Sequence, residues 1–564
     1  MVDLKAKPFN LDDNDIDWVN KAIERMTAEE KIGQLFVNLF FNFKPEACRK
    51  LIEAYHIGGA RYIGAKAEEV YDLTCNLQKF SKIPLLVACN CDSGGDGACK
   101  DGTYISSAAQ VEASGSEKVA YNTGYVSGRE AETIGCNWNF DPCADILFNW
   151  RNTIVNTRAY GTTADPVIKY TSAYIKGLRQ SNVAPCIKHF PGDGFEERDQ
   201  HLVLGVNELS CEEWDNSFGR VYKAAIDEGV MSIMAGHFAL PVYQKRMNPA
   251  LQYEDILPAT LAPELITGLL REQLGFNGVV VTDASHMLGM TASMRRRDYV
   301  PAAIAAGCDM FLFFNDHEED FRFMMDGYKN GVITKERLND ALLRILGLKA
   351  SLKLHIRQKA GNLIPDRKGL EVIGCDEHLA LAEEAADLGI TLVKNTKDEL
   401  PIRPETHKRI KLHTLYGEMG GIHGNTTDSE KVIIEELEKA GFEVALNDGT
   451  QRFMGKTADY SQNWDAALVF ADIRGYAAEN NYRIRWKCPM SSDVPWYVYE
   501  IPTVFVSLNY TTHLTDVPMV KTYINAYGNT RTIIRQVIQK IMGESAFKGS
   551  YNENVWCNKW ETKR

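Results

Sequence analysis

Eight short apolar runs, alternating with stretches patterned as amphipathic helices, recur between residues 33 and 316, and nothing else in the sequence narrows its fold so far. The runs are GQLFVNLF (33–40), HIGGARYIG (56–64), PLLVACN (84–90), NWNFDP (137–142), VAPCIKHF (183–190), VMSIMAGH (230–237), GVVVTDA (278–284) and DMFLFFND (309–316). Between them lie helical candidates such as SEKVAYNTGYVSGREAETIG and ERMTAEEKIGQL, the latter with Thr27 and Glu30 spaced for a capping box. Strand and helix in strict alternation predict an α/β protein, and eight repeats predict a closed (β/α)8 barrel. A doubly wound sheet generates the same rhythm and stands as the alternative. The helix-rich KERLNDALLRILGLKASLKL closes this series.

A second β-α series starts at GITLVKN (389–395) and continues through IKLHTLY, the helix DSEKVIIEELEKAG, FEVALN, WDAALVFAD, IPTVFVSL and KTYINAY to the helix TRTIIRQVIQKIMG. The expected organisation is therefore a TIM-like barrel over 1–353, a helical linker over 354–388, and a smaller three-layer α/β sandwich over 389–564.

Charge and composition exclude several functions. A net charge of −12 without a long basic run argues against nucleic acid or an anionic membrane surface as partner. No stretch of about 18 apolar residues occurs, and MVDLKAKPFNLDDNDIDWVN lacks an apolar signal core. Thirteen cysteines without a framework spacing read as reduced thiols, so a cytoplasmic protein is expected. The CNC at 89–91 with Cys99 lacks zinc-ribbon spacing, and GEMGGIHGN (417–425) is neither a dinucleotide fingerprint nor a P-loop. No metal and no cofactor are expected. Arg483, Arg485 and Trp486 in NNYRIRWKCPM read first as structural residues and second as reaching a ligand.

In a barrel, reactive groups sit where strands end. Those ends supply Asn90 and Asp92, Asp141 and Asp145, Lys188 and His189, His237, Asp283, and Asn315 and Asp316. Asp283 is either a helix N-cap or a nucleophile able to form a covalent glycosyl ester. In KHFPGDGFEERDQH (188–201), Asp199 and His201 share one side of an extended segment, so the carboxylate can orient the imidazole and favour its charged form. Gly192 and Gly194 would let this loop swing.

These segments resemble glycoside hydrolase family 3, specifically its β-N-acetylglucosaminidase branch, whose KHFPGHG…D-x-H loop is similar to KHFPGDGFEERDQH and whose nucleophile strand is similar to GVVVTDASHM. MTAEEKIGQLF, NCDSGG, GCNWNFDPCADI, NTRAYG and LVKNTKDELPI resemble further family segments in the same order. The resemblance implies Asp283 as nucleophile, His201 as general acid/base with Asp199 as its partner, and Lys188, His189 and Arg158 as ligands of the sugar hydroxyls. An acidic residue of NCDSGG would hold the far side of the ring; either Asn90 or Asp92 fills that place, and Asp92 keeps the charge. Asp193 stands where the family commonly has His.

The implied activity is retaining, exo-acting hydrolysis of terminal β-linked N-acetylhexosamine from a carbohydrate substrate, an N-acetylglucosaminide. The alternatives are a β-N-acetylglucosaminide phosphorylase, a β-glucosidase of the same family, and a sugar-binding barrel without chemistry.

Overall fold

The computed structural model describes residues 2–417, 428–447, 457–473, 483–486, 494–554 and 559–564. GEMGGIHGN, apart from Gly417, lies outside the described residues.

Eight parallel strands close into a barrel: β1 (Phe36–Phe40), β2 (Gly59–Tyr62), β3 (Leu86–Cys89), β4 (Trp138–Asn139), β5 (Ala184–Phe190), β6 (Ser232–Ala235), β7 (Val279–Ala284) and β8 (Met310–Leu312). Each strand pairs with the next in sequence, and β8 closes the ring on β1 through Phe36↔Phe311. An open doubly wound sheet is thereby ruled out. Every strand lies within one of the apolar runs, because strands of a helix-covered parallel barrel are buried on both faces and lack a polar alternation. All seven residues of β5 are buried, Lys188 and His189 included. Polar groups so placed need partners within the protein, and those partners define the site.

The helix Ala28–Gly33 leads into β1, and its capping box is formed: Thr27 Oγ1 accepts from Glu30 N at 3.2 Å, and Thr27 N donates to Glu30 Oε2 at 2.9 Å. The helix Lys335–Ser351 is capped by Thr334, whose side chain accepts from Arg337 N.

Two irregularities matter for the chemistry. After the two residues of β4, the chain meets β5 again in the isolated bridge Cys143↔Lys188, where Ala144 N donates to Lys188 O at 2.6 Å. That bridge sets Asp141 and Asp145 against the end of β5. Further on, Gly205–Val206 pairs in parallel with Phe238–Ala239, which fastens the far end of the 191–204 loop to the segment after β6.

Two compact units account for the chain: Met1–Thr103, Ala120–Ile146 and Thr163–Asp376 form one; Tyr104–Val119, Leu147–Thr162 and Glu377–Arg564 form the other. The division differs from cuts at 353 and 389, since the second unit also takes 104–119 and 147–162. Periodicity marks where elements lie, not which core a connecting loop joins.

The second unit holds a six-stranded sheet built from β9 (Thr391–Asn395), β10 (Arg409–Tyr416), β11 (Glu443–Leu446), β12 (Ala466–Asp472), β13 (Thr503–Ser507) and β14 (Thr522–Asn525), in the order β9-β14-β13-β12-β10-β11. Only β9 runs antiparallel. Alternate residues feed two cores on opposite faces: Leu468, Phe470, Val504 and Val506 join one with Ile433 and Ile534, while Val469, Ala471 and Phe505 join the other. Trp486 packs on the second core and Arg483 pairs with Asp516, in keeping with the structural reading of that stretch. Among the described residues, no helix is long and apolar enough to cross a membrane.

Candidate active site

Three acid–base pairs, each with a buried aspartate, and one further carboxylate gather at the carboxyl ends of the barrel strands. Lys188, 1% exposed, holds its ammonium 2.7 Å from Asp141 Oδ1 and 3.6 Å from Asp92 Oδ1. Burial pushes the Asp141 carboxyl well up, the neighbouring Asp92 adds to the push, and Lys188 opposes both. Asp92 is the open member, with 26% of its side chain exposed. A carboxylate reachable from solvent and backed by a buried cation is suited to accept hydrogen bonds from hydroxyls. Asn90 Oδ1 accepts from Arg61 Nε at 3.0 Å.

His189 lies beside Asp145, with Nδ1 2.7 Å from Oδ2, while Asp145 Oδ1 accepts from His189 N at 3.1 Å and from Asp193 N at 2.8 Å. A carboxylate can only accept, so the bond places a proton on His189 Nδ1. Asp193 is buried and joined to Asp145 through its backbone.

The pair singled out in the loop repeats this arrangement. Asp199 is fully buried; its Oδ1 accepts from His201 N at 2.9 Å and lies 2.7 Å from His201 Nδ1. The imidazole is thus oriented through Nδ1, and Nε2 is the nitrogen left to exchange a proton with a ligand. His201 keeps 23% of its side chain exposed. The loop is docked, with Leu288 N donating to His201 O and Gly289 N to Gln200 O, both at 3.1 Å. Gly192 has a φ of +123°, and a Cβ there would meet the Phe218 ring at 2.2 Å. Its glycine is demanded by backbone conformation and close packing, a stronger requirement than the freedom to swing.

Asp283 stands where burial gives way: the first four residues of β7 are buried, while Asp283 and Ala284 are partly exposed. Its Oδ1 accepts from Ala284 N at 2.7 Å, and Gln200 Nε2 approaches Oδ2 at 3.3 Å. Burial alone would push this carboxyl up, but the fields of His189, His237 and His201 and the Ala284 amide outweigh it and hold Asp283 below the usual range. His237 is itself pushed down by burial; its Nε2 lies 3.0 Å from Ala284 O. An ionised carboxylate at a strand end, with an oriented imidazole docked to the segment that follows it, can perform nucleophilic displacement with proton transfer.

Cys143, Asp145 and His189, and likewise Asp92, Asp141 and Cys143, bring donor atoms within 4.8 Å of one another. In both sets the carboxylates already face protein partners, His189 and Lys188. Of the residues expected from sequence, Asp92, Lys188, His189, Asp199, His201 and Asp283 occupy the barrel unit; Arg158 ends the short turn Asn156–Arg158 and belongs to the second unit. Gln200 was missed. Its only sequence signal was its place between Asp199 and His201, because nothing in an amide's identity announces a contact 83 residues away.

The chain is similar to known proteins in sequence and in fold. Residues 27–348 match the model of the glycosyl hydrolase family 3 N-terminal domain. The chain is 39% identical over 566 residues to a β-N-acetylglucosaminidase/β-glucosidase of Cellulomonas fimi, covering 100% of both chains. It is 27% identical to β-hexosaminidase A of Pseudoalteromonas piscicida over 64% of this chain and 63% of that one. Among solved structures, the β-glucoside phosphorylase BglX bound to 2FGlc superposes with a TM-score of 0.92 at 37% identity, covering 97% of this chain and 98% of that one.

Proposed function

The chain belongs to glycoside hydrolase family 3, and from that premise we propose that it is a retaining, exo-acting β-N-acetylglucosaminidase with Asp283 as nucleophile and His201 as general acid/base. The observation that carries the reading is the docking of the Asp199–His201 pair on the segment that follows Asp283, through Leu288 N and Gly289 N. The acetamido preference rests on the D-x-H loop and on the printed names of the relatives.

In the first step, His201 Nε2–H protonates the leaving glycosidic oxygen while an Asp283 oxygen attacks the anomeric carbon, giving a glycosyl ester and a neutral imidazole. In the second, Nε2 takes a proton from water as its oxygen attacks the same carbon, and Asp283 leaves as a carboxylate. Two displacements restore the original configuration. Asp199 holds the imidazole and offsets its charge when protonated. Asp92, Lys188 and His189 would hold the sugar's hydroxyls.

Phosphorolysis is a second reading. A neutral imidazole repels an incoming anion less than a carboxylate would, and the likeness to BglX, a named phosphorylase, supports it. Release of 4-nitrophenol from its β-N-acetylglucosaminide and β-glucoside, each with and without phosphate, tests both. Release from the first at a rate indifferent to phosphate, giving free sugar of retained configuration, is expected. Acceleration by phosphate with sugar 1-phosphate as product would replace hydrolysis by phosphorolysis. Release from the glucoside alone would remove the acetamido assignment, and sugar binding without release would leave a binding module.

A further inference from the structure

The residue between the two members of the acid/base pair has both ends of its side-chain amide and its backbone oxygen in hydrogen bonds. Gln200 is 1% exposed; its Oε1 accepts from His237 N at 2.7 Å, its backbone oxygen accepts from Gly289 N at 3.1 Å, and its Nε2 lies 3.3 Å from Asp283 Oδ2. The orientation of the amide follows from chemistry. A backbone N–H can only donate, so the amide oxygen must face His237, and the NH₂ is left facing the carboxylate.

With Ala284 N on Oδ1 and Gln200 Nε2 on Oδ2, each oxygen of Asp283 has one donor. These two bonds fix the plane of the carboxylate. The first comes from the rigid strand, the second from the loop that carries His201.

We propose that Gln200 is a positioning residue that locks the Asp283 carboxylate to the acid/base loop, so that the docked loop and the oriented nucleophile are one state of the enzyme. The inference rests on the assignment of Asp283 as nucleophile. It makes a distinction that the pair Asp199–His201 alone does not. His201 is needed in proportion to how poor the leaving group is, whereas the aim of Asp283 matters for every leaving group. It also explains why an amide suits this position. A carboxylate there could still accept from His237 N but would set a second negative charge against Asp283, and two carboxylates in contact cannot both ionise easily.

The test uses Gln200→Met and the isosteric Gln200→Glu in the full chain, beside His201→Ala, with aryl β-N-acetylglucosaminides spanning good and poor leaving groups. His201→Ala should lose activity mainly on poor leaving groups. Gln200→Met should lose about ten- to a hundredfold in kcat/KM on good and poor leaving groups alike, the scale of one hydrogen bond to a charged group.

Gln200→Glu, which keeps the acceptor for His237 N, should move the acid limb of kcat/KM to higher pH. Charged and titratable groups that interact electrostatically with Asp283 include His189 and Cys186 on β5, His201 on the loop, His237 after β6 and His286 after β7. None of them changes in that variant. A loss confined to poor leaving groups would reduce Gln200 to a support for His201 and overturn the proposal, as would an unmoved acid limb or undiminished activity. Mass spectrometry of the wild-type enzyme trapped with an activated fluoro-sugar checks the premise separately: an ester on a residue other than Asp283 would end the nucleophile assignment itself.

Discussion

The two ends of the barrel hold the same ingredients, buried aspartates beside buried cations, and use them differently. At the carboxyl ends Lys188, His189 and His201 face carboxylates, and one further carboxylate, Asp283, faces histidines and hydrogen-bond donors. At the amino ends, Asp309 precedes β8 fully buried among three arginines. Arg271 lies at 2.6 Å, Arg344 at 3.6 Å, and Arg337 is in direct contact. Asp309 Oδ2 also accepts from Val280 N at 2.9 Å. Burial would raise the Asp309 carboxyl, yet the three guanidinium groups hold it below its usual range.

Arginine stays charged at every physiological pH and cannot pass a proton on, whereas histidine titrates near neutrality. An aspartate clamped by arginines is therefore a fastening; an aspartate among histidines can be part of a reaction. The difference lies in the partners, since the acid is the same.

Substitution of each aspartate by Asn is the most direct way to break that contrast. Asp283→Asn should remove essentially all turnover of an aryl N-acetylglucosaminide while leaving the thermal unfolding curve close to wild type. Substantial residual activity would end the proposed mechanism. Asp309→Asn should do the reverse. It leaves three largely buried guanidinium groups without their counter-charge, a loss of about 3–5 kcal/mol in a denaturant titration, with activity per folded molecule preserved. A large fall in activity of the folded variant would show that the two ends are not separate in function.

A smaller effect sharpens the comparison. Lys349, fully buried at the amino end, donates to Gln34 Oε1 at 2.7 Å, and burial pushes its ammonium down from 10.5 to about 7. Above pH 7 the folded protein has released this proton, while the unfolded chain keeps it up to 10.5. The unfolded state then binds more protons, so this group makes stability rise with pH across that window. In Lys349→Met the melting temperature should lose that upward contribution between pH 7 and 10, and the pH profile of activity should not change. An unaltered melting profile would mean that Lys349 titrates alike in both states.

The barrel was legible because its cause is local. A strand covered on both faces must be apolar along its length, and GVVVTDA and VAPCIKHF state that in the sequence itself. Lys188, His189, Asp199, His201 and Asp283 were legible for a related reason, as polar residues breaking an apolar run or closing the loop after it. Asp141 and Asp145 were visible as strand ends but not as the partners of Lys188 and His189. Those pairings depend on how the chain after β4 meets β5.

The sequence by itself determined which segments are strands and which residue types stand at their ends, because burial pattern and backbone preference act over a few residues. Only the tertiary structure decided the pairings: Gln200 with Asp283, Asp141 with Lys188, Asp309 with its arginines. A hydrogen bond or ion pair forms over about 3 Å, and residues far apart in the chain come that close only once the ring of strands has closed in a single register.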